Sequence, residues 1–228
     1  MRDHLHFLVG ALGFGSLIAA ATAALVELPS PPALSKAGHQ LILDYEVGGG
    51  RSYYDRFLQR PSWPGESSGV TIGVGYDLST VEPDIIREDW HDIPSNPLDR
   101  LVATQPFHGP SAKPKAAQVA DILVSWSLAL DVFDRVDVTR FWFVTRRAFP
   151  GFDRLRPNAQ AALVSLVFNR GPGMSGPARR EMRAIRDAVP REDYDEIARQ
   201  MRTMKRLWPD SAGLRVRRDA EASLVLTP

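Results

Sequence analysis

The chain contains no cysteine, so disulfide frameworks and thiol chemistry are excluded, and a zinc site would have to be built from histidine and carboxylates. It has almost no net charge: 28 Lys and Arg stand against 27 Asp and Glu, a formal +1. It lacks a phosphate loop, because neither Gly48-Gly49-Gly50 nor Gly73-Val74-Gly75 is followed by Gly-Lys-Ser/Thr. There is no internal repeat, which excludes solenoids and propellers. Asp89-Trp90-His91-Asp92 sets one histidine among carboxylates, but such a residue on a loop edge is ordinarily solvated. Neither a metal nor a cofactor is expected.

What is present favours a folded protein. A chain of 228 residues, 44% apolar and 24% charged, can bury a full core as one domain with two lobes. The charge is unevenly spread. Arg140 to Arg218 holds 18 Lys/Arg against 8 Asp/Glu, and the remainder 10 against 19. Such an asymmetry suggests an anionic partner, with nucleic acid and the bacterial wall polymer both qualifying; solvated arginine-rich helix faces are an equally good account.

The N-terminus reads as a separate segment. Phe7 to Val26 is a stretch of 20 residues without a charge behind Arg2, and Ala21-Thr22-Ala23 fits a signal-peptidase site. A core helix would sit poorly beside the Pro-rich Glu27-Leu-Pro-Ser-Pro-Pro32 that follows. The expected organisation is a signal peptide or signal anchor over 1–26, a tether over 27–34 and a domain over 35–228. Export follows, to the periplasm or to the periplasmic face of the inner membrane, with a membrane contact through the N-terminal segment if it is uncleaved. Nucleic acid is thereby disfavoured as a partner.

Beyond the tether the pattern is mostly helical. Ser35 can cap a helix with Leu41, Ile42 and Tyr45 at helical spacing, ending at Gly48-Gly49-Gly50. Two strand-like runs, around Arg51 to Leu58 and Val70 to Leu78, flank a turn-rich stretch and predict a β-ribbon. Helical windows follow near 82–91, 113–130, 137–148, 157–169, 177–188, 192–207 and 211–226. The proline-rich stretch from Asp92 to Pro114 has no period and reads as a long loop or lid.

The candidate chemistry lies at Glu46 and along the second run. A carboxyl in the last turn of a helix faces the negative end of the macrodipole, with Tyr45 and Val47 to limit its hydration, and both effects suit a proton donor. Period-two geometry over Thr71-Ile72-Gly73-Val74-Gly75-Tyr76-Asp77 puts Thr71, Gly73, Gly75 and Asp77 on one face. The glycines would leave that face bare for a polymer, with Thr71 to position a water and Asp77 to act as its base. Acid-catalysed cleavage of a glycosidic bond needs such a pair of carboxyls. A lone Glu at a helix end is more often an ordinary solvated residue.

Glu46, Tyr54-Asp55, Thr71-Ile72-Gly73-Val74-Gly75, the run Gln160 to Gly171 and the run Gly213 to Glu221 together resemble the phage-type lysozymes, muramidases that hydrolyse the β-1,4 bond between N-acetylmuramic acid and N-acetylglucosamine. The segment Thr71 to Asp77 is most similar to pesticin-like muramidase domains, where an aspartate follows the threonine at this spacing. The resemblance implies a mainly α, α+β fold with a small β-ribbon lobe, a larger helical lobe and an active-site cleft between them. It implies peptidoglycan as the partner of a protein expected to be a monomer.

The chain departs from the phage pattern at Tyr76, where those enzymes have histidine, and in the insertion around Pro61 to Ser68. In them the aspartate lies nine residues after the glutamate, which here is Asp55, so Asp55 and Asp77 compete for one role. The longer turn favours Asp77, and Asp55 could instead pair with Arg51 or Arg56. Leu163, Leu166 and Val167 form a core stripe, while Asn169 and Arg170 at its exit could line the sugar groove. Trp208 could stack on a sugar or lie in the core. The resemblance implies an arginine paired with Glu46, with Arg217 and Arg218 as candidates beside Arg215; a helix-surface arginine is the alternative. A non-catalytic wall-binding module and a lytic transglycosylase remain the competing functions.

Overall fold

In the computed structural model, which describes residues 34–48 and 50–228, the chain begins with a capped helix. The Ser35 hydroxyl accepts the Gly38 N–H at 3.1 Å and the Ser35 carbonyl accepts that of His39 at 2.9 Å, which satisfies donors at the start of α1 (Lys36–Val47). The helix stops at Gly48, whose φ of 64° is left-handed. The export segment at 1–26 and all but the last residue of the tether at 27–34 lie outside the described residues. No described helix is long and apolar enough to cross a membrane.

The described chain is mainly helical with one two-stranded antiparallel sheet, an α+β protein dominated by α. It divides into two compact units, one of residues 46–137 and one of residues 34–45 and 138–228. The first contains α2 (Gly50–Phe57), β1 (Thr71–Ile72), β2 (Tyr76–Asp77), α3 (Pro83–Asp89), α4 (Ser95–Val102), α5 (Ala112–Gln118) and α6 (Trp126–Val132). Tyr54, Ile72, Leu78, Ile86, Trp90 and Leu101 are its deeply buried side chains.

The structure corrects the sequence-based expectation in this unit at several points. Residues 51–58, read as a strand, form α2. Their aromatic content suits a pleated surface only where a partner strand exists. Here i,i+4 pairs support a helix instead: Tyr53 and Phe57 rings lie 4.8 Å apart and Arg51 meets Asp55. Residues 70–78, read as one strand, fold back as the β1–β2 hairpin, with Thr71 opposite Asp77 and Ile72 opposite Tyr76. Gly73 and Gly75, with φ of 59° and 77°, supply left-handed conformations in that turn.

The stretch 92–114, read as a loop, contains α4 and a 3-10 turn at Gly109–Ser111 and leads into α5. Its prolines at 94, 97, 110 and 114 fall at or near helix starts, where a missing N–H costs nothing. The window 113–130 is two helices, because the Val124 N–H turns aside to Gln59 O at 2.9 Å and the Ser125 hydroxyl caps α6 by accepting the Leu128 N–H at 3.2 Å.

The second unit contains the N-terminal part of α1 with α7 (Thr139–Ala148), α8 (Pro157–Arg170), α9 (Arg180–Ala188), α10 (Tyr194–Thr203) and α11 (Ala212–Leu226). Helix α8 is buried on nearly every side from Ala159 to Val167, as a helix apolar all round must be. α11 packs on both α8 and α10. Helix α1 crosses α8 at Gly38, so closely that a Cβ there would lie 2.0 Å from the Ala161 Cβ.

Candidate functional site

The hairpin brings Thr71 and Asp77 together, though not along one strand as expected. They are cross-strand partners, which sets their side chains on one face of the ribbon. Thr71 is held from both sides, since it also exchanges backbone hydrogen bonds of 2.8 and 3.0 Å with Ser62. Among the described residues its hydroxyl makes only a long 3.5 Å contact to Gly69 O and so remains able to donate elsewhere.

Asp77 is fixed more tightly. Its extended backbone (φ −84°, ψ 108°) caps the 3-10 turn Leu78–Thr80. Oδ1 accepts the Ser79 N–H at 2.9 Å, the Ser79 hydroxyl at 2.7 Å and the Gly69 N–H at 3.2 Å, while Oδ2 accepts only the Gly69 N–H, at 3.0 Å, among the described residues. One carboxylate oxygen is therefore saturated and the other retains accepting capacity. Gly69 is required: a Cβ there would lie 2.5 Å from Asp77 Oδ1 and from Ser79 Cβ. Sequence reasoning missed Gly69 and Ser79, although Asp-x-Ser is the signature of a local aspartate turn.

The two hairpin glycines part company. Gly73 is not bare, since a Cβ would come within 2.6 Å of Trp90 Cη2, whereas Gly75 has no atom within 4 Å of that position. The open glycine face expected from the sequence is thus reduced to Gly75, because Trp90 fills the space over Gly73. Trp90 also meets Tyr76 edge-on at 5.4 Å. The buried Tyr76 hydroxyl donates to Asp89 Oδ2 at 2.6 Å, tying β2 to the end of α3. No spacing in the sequence signals that pair.

Asp55 lies on the exposed side of α2, 3.4 Å from Arg51 Nε, with the two side chains 44% and 72% exposed; such a surface pair contributes little. Its neighbour Tyr54 is buried, donates to Val124 O at 3.0 Å, and has its phenol pushed up by burial and then by the Asp55 charge. Glu46 is half-buried in the last turn of α1, two residues before the left-handed Gly48, at the helix exit predicted for it.

In the second unit the end of α8 meets α11. The buried Glu221 Oε1 accepts the Ser165 hydroxyl at 2.7 Å, Arg217 Nε at 3.2 Å and an Arg218 nitrogen at 2.9 Å. Arg217 also donates to the carbonyl and hydroxyl of Ser165, each at 3.1 Å, and Arg218 to Asn169 Oδ1 at 3.1 Å. Both orienting-arginine candidates therefore contact Glu221, and Arg217 lies 5.3 Å from the Tyr45 ring centre. Trp208 is half-buried with the Arg170 guanidinium 4.9 Å and that of Arg218 5.6 Å from its ring centre; cations occupy π-surface that a sugar would need. Arg215 donates to the carbonyls of Trp208 and Pro209.

Burial, and then the like charges of Arg179 and Arg218, bring Arg170 down to about 10. Glu181 is 1% exposed. Its burial would raise the carboxyl, but hydrogen bonds from Arg206 and Arg180 outweigh that and hold it at about 2.

A depression of about 420 Å³ in the first unit is lined by Ile93, Pro97, Leu123 and the Arg100–Asp121 pair and contains none of the expected site residues. Among the described residues no group of histidines and carboxylates could hold a metal ion. Neither a family model nor a curated protein matches the chain. What the hairpin can do chemically follows from its own atoms: a hydroxyl and a fixed carboxylate with one open oxygen, side by side, can hold a water and accept its proton.

Proposed function

We propose that the chain is a peptidoglycan hydrolase with a lysozyme-like α+β fold, cleaving the β-1,4 bond between N-acetylmuramic acid and N-acetylglucosamine. The observation that carries this function is the Thr71–Asp77 pair: a register-fixed threonine and a carboxylate whose Oδ1 is tied down by Ser79 and Gly69 while Oδ2 stays receptive. Glu46 is the general acid that protonates the leaving oxygen. Thr71 holds the water, and Asp77 Oδ2 takes its proton as the oxygen attacks the anomeric carbon. Water activated by a base gives inversion, with the carboxyls roughly 6.5–9.5 Å apart to admit it. Asp77 is preferred to Asp55 because it shares a rigid ribbon with a hydroxyl, while Asp55 lies on an exposed helix face beside Arg51.

Asn169, Arg170 and Gly75 are proposed as wall-polymer contacts; Gly73 is given to the turn and to Trp90. Trp208 is proposed as a further contact beside the Arg170 and Arg218 guanidiniums that face its ring. The N-terminal segment exports the protein, which acts on the periplasmic side. A lytic transglycosylase would need the acid alone, so the presence of a base is what favours hydrolysis.

Purified peptidoglycan is the test substrate. The expected products carry reducing muramic acid ends, initially as the inverted anomer by NMR, and Glu46→Gln abolishes nearly all of them while the folded variant still sediments with walls. Anhydro-muramic ends would identify a transglycosylase, and a Glu46→Gln protein that clears walls at the parent rate would remove Glu46 from the mechanism.

A further inference from the structure

Positive charge gathers at the exit of α8. Arg170, Arg179, Arg180, Arg206, Arg217 and Arg218 surround two carboxylates, and both are already taken. Glu181 accepts Arg206 Nε at 2.6 Å, a second Arg206 nitrogen at 3.0 Å and Arg180 Nε at 2.8 Å. Glu221 accepts Arg217, Arg218 and Ser165 through Oε1. Arg170 makes an ion pair with neither and feels the Glu181 charge only at longer range. It is only 7% exposed, its sole hydrogen bond among the described residues runs to Ala178 O at 2.6 Å, and its Nε is buried without a partner. Among the described residues Arg179, half-buried beside it, donates only to Gly171 O, at 3.4 Å, with its guanidinium lying over Gly173.

A guanidinium nine-tenths buried and outside any ion pair is costly, and costlier still beside its like. We propose that Arg170 and Arg179 form a binding site for an oxyanion, a carboxylate or phosphate group, at the end of α8. Planar oxyanions match the guanidinium fork, and two forks with spare donors are the usual way to hold one. Glycines at 171 and 173 add no side chains of their own beside Arg179. Burial lowers the basicity of both arginines, and the charges of Arg179 and Arg218 lower that of Arg170 further, as fits a missing anion. The site also gives a structural role to the excess of arginine between residues 140 and 218. If the muramidase assignment above holds, the anion is a carboxylate or phosphate of the wall polymer; otherwise it is a free anion such as inorganic phosphate.

The probe is inorganic phosphate. Thermal melting of the full chain is followed as phosphate replaces chloride at constant ionic strength, for the parent, Arg179→Gln and Arg170→Gln. The half-buried Arg179 serves where loss of Arg170 prevents folding. The site predicts that phosphate raises the parent melting temperature more than chloride does, and that Arg179→Gln loses this increment. Equal effects of both salts on the parent, or an undiminished increment in a folded Arg179→Gln, would overturn it.

A second measurement distinguishes the sources. Hydrolysis of intact wall is compared with that of glycan stripped of its peptides and anionic polymers, and the ratio of kcat/KM values is read. Loss of one charge-assisted contact should lower that ratio about 10-fold in Arg179→Gln if the polymer supplies the anion. An unchanged ratio with a lost phosphate increment keeps the site and assigns it to free phosphate. A parent that hydrolyses neither substrate removes the muramidase assignment, and the melting experiment still decides the site.

Discussion

Replacing Asp77 by alanine removes a structural cap and a catalytic base at once, and the two losses can be measured apart. The cap on the 3-10 turn is worth about 1 kcal/mol, and leaving the Gly69 N–H without its acceptor costs about 1–3 kcal/mol. The expected total is roughly 3 kcal/mol, or about 6–12 °C in Tm for a chain of this size. Asp77→Asn behaves differently. Its amide oxygen can still accept from the Ser79 and Gly69 N–H groups that Asp77 Oδ1 holds at 2.9 and 3.2 Å, so its stability cost is about 1 kcal/mol, the difference between charged and neutral acceptors.

Catalytically the two variants should coincide, because neither can take a proton, and each should lose about 10²-fold or more in rate. Ser79→Ala removes only the 2.7 Å hydroxyl contact and provides the comparison: a small loss of stability with the rate retained within about 10-fold. Denaturation curves paired with peptidoglycan turbidity and reducing-end assays give both quantities. Asp77→Asn working at close to the parent rate would refute the base assignment, and Asp77→Ala melting with the parent would refute the structural one. If Asp55→Asn proved the more damaging change, the catalytic role would pass to Asp55.

Two further outcomes bear on the second unit. Gly38→Ala should destabilise the protein although alanine gains up to about 1 kcal/mol of helix propensity, because the new methyl would lie 2.0 Å from the Ala161 Cβ, which has no rotamer to yield; an unchanged or raised Tm would mean that α1 shifts freely on α8. For Glu181, a carboxyl held at about 2 against an ordinary 4.5 contributes stability that is present above pH 4.5 and lost as the pH falls from there toward 2. The size is roughly 3 kcal/mol, so the gap in Tm between the parent and Glu181→Gln should close over that interval, and a gap constant with pH would contradict it.

Local features were legible in the residues themselves. Ser35 announced the start of α1 and Gly48 its end, and Pro157 with Gly171 bracketed α8, because caps, prolines and glycines act through backbone groups within a few residues. The same locality explains why the Thr71–Asp77 pair could be suspected from spacing: both a single strand and a hairpin closed over Gly73 and Gly75 put those two on one face. Which of the two forms, and therefore whether Gly73 faces a polymer or Trp90, depended on a residue 17 positions away.

Aromatic content misread α2 because no described strand pairs with it, and only neighbours decide whether Tyr54 packs as part of a sheet or inside a helix. The sequence by itself determined a mainly helical chain with a short ribbon and an arginine excess toward its end. Tertiary structure alone decided that Tyr76 would bond Asp89, that Glu221 and Glu181 would each accept from two arginines, and that Arg170 would be buried outside any ion pair. Burial and pairing are properties of surfaces brought together from distant parts of the chain, and no periodicity within a single segment encodes them.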